Sequence, residues 1–104
     1  MGDTRRQPGT GALEETDSAT RRPDLYRVVL HNDDYTTMEF VVQVLETVFH
    51  KHPAEAYRIM MHVHVHGRGV CGVYPLEIAE TKVGTVHDLA RERGYPLRAS
   101  IEDE

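Results

Sequence analysis

The chain of 104 residues has one cysteine, no tryptophan and an aromatic content of only 7%. A single thiol, Cys71, excludes an intramolecular disulfide framework and a Cys-rich zinc site. No apolar run approaches the roughly 20 residues that span a bilayer, and the opening residues contain no apolar stretch of the kind found in secretory signals. A soluble protein of the cytoplasm is expected, with no membrane contact. Nor is there an excess of positive charge: 12 Lys and Arg stand against 17 Asp and Glu, a net charge of -5. A broadly basic nucleic-acid surface is thereby disfavoured. The phosphate-cradling motif GxxxxGK[ST] is missing too. The length suits one small domain.

Apolar side chains are scarce before residue 25. Residues 1–24 offer only Met1, Ala12, Leu13 and Ala19, with four arginines balanced by five acids. Too little apolar surface is available there to offset ordering entropy, so a disordered extension is expected over 1–24, followed by a core domain over 25–104.

Within that core, Leu25 to Leu30 is rich in β-formers and reads as a strand, running into the polar cluster His31-Asn32-Asp33-Asp34. Thr36 and Glu39 have capping-box spacing. Met38, Val41, Val42, Leu45, Val48 and Phe49 then mark one face of a helix that should stop near His50–His52, ahead of Pro53. A second helix from Pro53 to about His66 presents Ala56, Ile59, Met60 and Val63, with Gly67 as its left-handed terminator. Val70–Tyr74 reads as a short strand. Pro75 opens a third helix carrying Ile78, Ala79, Val83, Val86, Leu89 and Ala90, ended by Gly94 and Pro96. Gly84 inside it suggests close approach by another element. Leu97–Ile101 alternates as a last strand. The order β-α-α-β-α-β predicts a small two-layer α+β domain, a three-stranded antiparallel sheet packed against three helices.

Several features carry chemistry. Asn32, Asp33, Asp34 and Thr36 gather acceptors between a strand and a helix, either as turn and cap groups or as a seat for a cation or ammonium group. His62, His64 and His66 would face one way on a strand and share a metal. On a helix, positions two apart diverge by about 200°, so the three cannot converge. Position favours the helix, and no metal or cofactor is expected. His64 stands four residues after Met60, on the edge of the apolar face. Met38, Met60 and Met61 fall at helical spacings and suit either core filling or the wall of an adaptable pocket. Cys71, in an apolar strand, reads as an inert thiol. The residues alone describe a binding module rather than an enzyme.

The run from Tyr26 through Asn32-Asp33-Asp34-Tyr35-Thr36 to Val41 resembles the opening of the bacterial adaptor family ClpS. Ala56–Met60, Val63-His64, Gly67, Cys71–Tyr74, Glu77–Val83 and Tyr95-Pro96-Leu97 continue the likeness across residues 25–103. Thr37 departs from the family, which often has proline there. His62 and His66 lie outside the family pattern; His64 lies within it.

The resemblance implies an adaptor, not an enzyme. It would recognise proteins with a bulky N-terminal residue (Leu, Phe, Tyr or Trp) and hand them to the N-terminal domain of a ClpA- or ClpC-type AAA+ unfoldase feeding ClpP. It implies Asn32, Asp33, Asp34 and His64 around the substrate's α-amino group. Thr36, Met38, Val41, Met60, Val63 and Leu97 would form the hydrophobic pocket, with Met38 as its gatekeeper. Glu77, Thr81 and Lys82 would contact the unfoldase, and the N-terminal extension would serve delivery. A monomer is expected. Two other readings are a ribosomal-stalk-like interaction domain of similar architecture and a His-rich metal-binding protein.

Overall fold

The computed structural model describes residues 23–104. Apart from Pro23 and Asp24, the expected disordered extension therefore lies outside the described residues. The elements follow the expected order: β1 (Leu25–His31), α1 (Met38–Thr47), α2 (Pro53–His66), β2 (Arg68–Pro75), α3 (Leu76–Arg93) and β3 (Arg98–Asp103). Among the described residues, no helix is long and apolar enough to cross a membrane.

The sheet is antiparallel with β1 at its centre, in the order β2-β1-β3. Central position explains the β1 composition. Val28, Val29 and Leu30 are all fully buried, although alternate strand residues face opposite sides. Val28 and Leu30 join the core with Phe40, Val44, Leu45 and Ile59. Val29 lies on the other face, opposite Val70 and Ser100.

The β1–β2 register slips between Val28, opposite Gly72, and Val29, opposite Val70, so Cys71 is the extra residue of a bulge. Tyr74 folds back over Gly72, where a Cβ would lie 2.6 Å from its ring. Only glycine leaves that room. Gly84, in contrast, has nothing within 4 Å of where a Cβ would stand, so the expected close approach there does not occur.

The helix boundaries correct the sequence reading in three places. Thr37, not Thr36, caps α1: its Oγ1 accepts from the Phe40 N–H at 3.1 Å. Thr36 is otherwise engaged, its hydroxyl donating to Asp33 at 2.8 Å. Second, α1 ends at Thr47, several residues before Pro53. His50 takes a left-handed conformation at φ 56°, and the Lys51 N–H closes onto the Leu45 carbonyl at 3.0 Å. Third, Pro75 is the last residue of β2 rather than the first of α3, its extended backbone leading directly into Leu76.

The ends of α2 and α3 follow the expected chemistry. Gly67 (φ +90°) and Gly94 (φ +75°) are left-handed, a conformation costly for residues with a Cβ. Ile78 departs from its expected place on the buried stripe and is 46% exposed.

Candidate binding cleft

A cleft of about 230 Å³ opens between the β1–α1 loop and the facing sides of α1 and α2. Its floor is apolar. Val41 from α1 and Met60 and Val63 from α2 line it and are all buried. These are the residues that helical periodicity places on the inward faces of both helices. Met38, first residue of α1, also lines the cleft but is 44% exposed, which sets it at the mouth rather than in the core.

The remaining wall is polar: Asn32, Asp33, Asp34 and Thr36 from the loop and His64 from the last turns of α2. Two carboxylates and no Lys or Arg border the cleft. Its electrostatic character therefore favours a cation.

The loop is held by its own side chains. One Asp33 carboxylate oxygen accepts from the backbone N–H groups of Tyr35 (2.8 Å) and Thr36 (2.7 Å). The other accepts from the Thr36 hydroxyl. Burial raises the Asp33 pKa, but hydrogen bonds from the Thr36 and Tyr35 amides and the Thr36 hydroxyl outweigh it and leave the carboxyl below its ordinary value. Asp33 is thus an ionised keystone whose oxygens are already used within the loop.

Asn32 and Asp34 differ from it. Among the described residues, neither side chain takes part in a hydrogen bond or ion pair, and both are exposed at the rim. The Asn32 backbone N–H donates to the Gly67 carbonyl at 2.9 Å. That bond ties the loop to the end of α2 and brings Asn32 and His64 to one cleft.

Two residues taken as functional lie elsewhere than the sequence suggests. Leu97 does not border this cleft. It is buried in the core and borders a separate hollow with His87, Ala90 and Tyr95. It precedes β3, so its side chain serves the joint between α3 and the sheet.

Lys82 is not a free surface charge. Its Nζ donates to the Val48 carbonyl at 2.7 Å and lies 5.4 Å from the centre of the Tyr74 ring. It neutralises the carbonyl end of α1, where the helix dipole is negative. Glu77 and Thr81 are exposed on α3, with the Thr81 hydroxyl donating back to the Glu77 carbonyl at 3.1 Å.

The histidine run is helical, so its members part company. His64 lines the cleft, while His62 and His66 lie together with ring centres 4.4 Å apart. Cys71 is buried, and burial pushes its thiol pKa up to about 12, which suppresses the nucleophilic thiolate.

Sequence reasoning did not anticipate the contributions of Thr37, of Val48 with Lys82, or of the Gly67 carbonyl. Gly67 was legible as a helix terminator; its second role depends on a strand distant in sequence.

Comparison with known proteins matches residues 21–100 to the family described as ATP-dependent Clp protease adaptor protein ClpS. The chain is 55% identical over 102 residues to the ClpS adapter protein of Maricaulis maris, covering 98% of this chain and 94% of that one. It is 62% identical over 82 residues to that of Desulforapulum autotrophicum, covering 79% of each. Among solved structures, Agrobacterium tumefaciens ClpS2 bound to L-phenylalaninamide superposes with a TM-score of 0.77 at 46% identity, over 80% of this chain and all of that one. With the fold in agreement and near-complete coverage of its relatives, this chain belongs to the ClpS family of adaptor proteins of the ATP-dependent Clp protease.

Proposed function

We propose that the cleft binds the N-terminal residue of a polypeptide through its free α-ammonium and its bulky side chain, Leu, Phe, Tyr or Trp. An ammonium brings three donors and a positive charge, and removing it from water without acceptors costs more than the contact returns. The Asn32 amide oxygen, the Asp34 carboxylate and a neutral His64 supply three acceptors. Asp33 adds negative potential and holds the loop in shape, a positioning residue rather than a direct partner. An internal residue of a chain presents a single amide donor and no charge, so the same acceptors reject it.

The apolar floor of Val41, Met60 and Val63 receives the side chain, with Thr36 and Met38 at its edge. Burial of a Leu or Phe side chain contributes roughly 1.5–3 kcal/mol. The ligand of the related ClpS2 supports this reading. L-phenylalaninamide carries a free α-ammonium, a benzyl group and a carboxamide in place of the following peptide bond, the chemical outline of an N-terminal phenylalanine.

Delivery completes the function. The adaptor presents the captured protein to the N-terminal domain of a ClpA- or ClpC-type unfoldase, with Glu77 and Thr81 as exposed contact residues beside the anchored Lys82. The adaptor performs no covalent chemistry in this scheme.

The observation that carries the proposal is the convergence of Asn32, Asp34 and His64 on the rim of one apolar-floored cleft. Isothermal titration tests it. A peptide with a free N-terminal Leu is expected to bind, and its N-acetylated form is not. Asn32→Ala, Asp34→Ala and His64→Ala should each weaken binding. Equal affinity for free and acetylated peptides would sink the proposal.

A further inference from the structure

Helix positions four apart share a face. His62 and His66 occupy such positions in the last turns of α2, their ring centres 4.4 Å apart and their planes inclined at 38°. Both are exposed, and among the described residues neither ring nitrogen takes part in a hydrogen bond. His64, between them, belongs to the cleft. The pair is therefore accessible to solvent and separate from the peptide site.

Histidines four apart on a helix have the sequence spacing of the two helical ligands of an HExxH zinc site, which bind one ion from the same face. Imidazole nitrogens suit zinc, nickel and copper rather than magnesium or calcium. Position adds to this. The pair lies at the carbonyl end of α2, where the dipole favours positive charge. The nearest arginine in sequence, Arg68, is drawn into an ion pair with Glu102 on β3.

We propose that His62 and His66 form a two-histidine site for a divalent transition-metal ion of the zinc and nickel class. Among the described residues no group of three or more His, Cys, Asp or Glu is placed to enclose a metal. Water completes the coordination, and the ion exchanges freely instead of being a structural staple. The bound ion spans one turn of α2, from His62 to His66. That turn contains His64 and is followed directly by Gly67, whose carbonyl holds Asn32. Occupancy stabilises the helix end that positions two of the three proposed ammonium acceptors, because a ligand that binds only the folded form raises its stability.

The test uses the full chain without an affinity tag. Zn²⁺ and Ni²⁺ are titrated calorimetrically into the wild type, His62→Ala, His66→Ala, the double variant and His64→Ala. One saturable site is expected in the wild type. Either single substitution should weaken it roughly 10²-fold, the loss expected when one arm of a bivalent site is removed. His64→Ala should bind metal as the wild type does. Zn²⁺ should raise the melting temperature of the wild type and leave that of the double variant unmoved. Absence of saturable binding, wild-type binding by the double variant, or an equal loss in His64→Ala would each overturn the assignment.

Discussion

The Asn32 amide donates to the Gly67 carbonyl across 2.9 Å, linking the end of β1 to the residue that terminates α2. This bond puts a loop acceptor, Asn32, and a helix acceptor, His64, on one cleft. Gly67 holds the bond at φ +90°, and nothing lies within 4 Å of where its Cβ would stand. A substitution there is thus penalised by backbone conformation alone. Gly67→Ala is expected to lower stability by about 1–2 kcal/mol and to weaken binding of a Leu-initiated peptide. Gly67→Asn should be milder in both respects, since Asn enters the left-handed region more readily. Chemical denaturation and peptide titration on the two variants measure this; an equal cost for Ala and Asn would point to a cause other than backbone conformation.

Met38 stands at the mouth of the cleft with 44% of its surface exposed. Its truncation opens the entrance without leaving a cavity in the core. Met38→Ala should therefore change stability by no more than about 0.5 kcal/mol, as surface substitutions do. It should admit peptides beginning with the β-branched residues Val and Ile, at some cost in affinity for Leu. An unchanged preference among these peptides in the folded variant would remove Met38 from the gate.

Lys82 joins α3 to the end of α1 through the Val48 carbonyl and covers the Tyr74 ring. Lys82→Met keeps most of the aliphatic stem and removes the charge. It should cost about 1.5 kcal/mol, the scale of a hydrogen bond to a charged group. Glu77→Ala and Thr81→Ala should have little effect on stability. Urea denaturation separates these outcomes. If all three variants also lose affinity for the unfoldase, the Lys82 result has to be read against its own loss of stability.

His31 gives stability a pH dependence. Its ring makes a 2.6 Å hydrogen bond with Ser100, and its cross-strand neighbours are Arg68 and Arg98. Burial lowers its pKa, and the positive charges of Arg98 and Arg68 lower it further against the opposing pull of Glu102. The fold therefore favours the neutral ring, and the unfolded chain takes up the proton first. This contribution is complete above the unfolded pKa of about 6.5 and is lost as pH falls from there through the lower folded value. Stability should decline as pH falls below about 6.5, and His31→Gln should show a shallower decline. Equal slopes for both proteins would assign the loss to another group.

Much of the fold was legible locally, because helix ends and strand patterns depend on neighbours a few residues away. Pro53 and Gly67 bracket α2 as their backbone preferences require. The apolar spacing of α1 and α2 foretells the buried Val41, Met60 and Val63. The Asn32–Asp34 cluster announced a polar loop, and its resemblance to ClpS named His64 as a distant partner.

What the tertiary structure decided was which of several equivalent groups is used. Thr36 and Thr37 are interchangeable as caps in the sequence; Asp33 claims the first and leaves the second to Phe40. Lys82 reads as a solvent-facing charge until the fold brings α3 to the end of α1 and a carbonyl 34 residues away captures it. Leu97 and Met38 are both apolar, yet one is buried away from the cleft and the other stands at its mouth. In each case the choice rests on a contact between separate parts of the chain. Periodicity and turn chemistry act over a few residues and say which face is apolar or where a turn falls. Only packing sets which side chain reaches which partner.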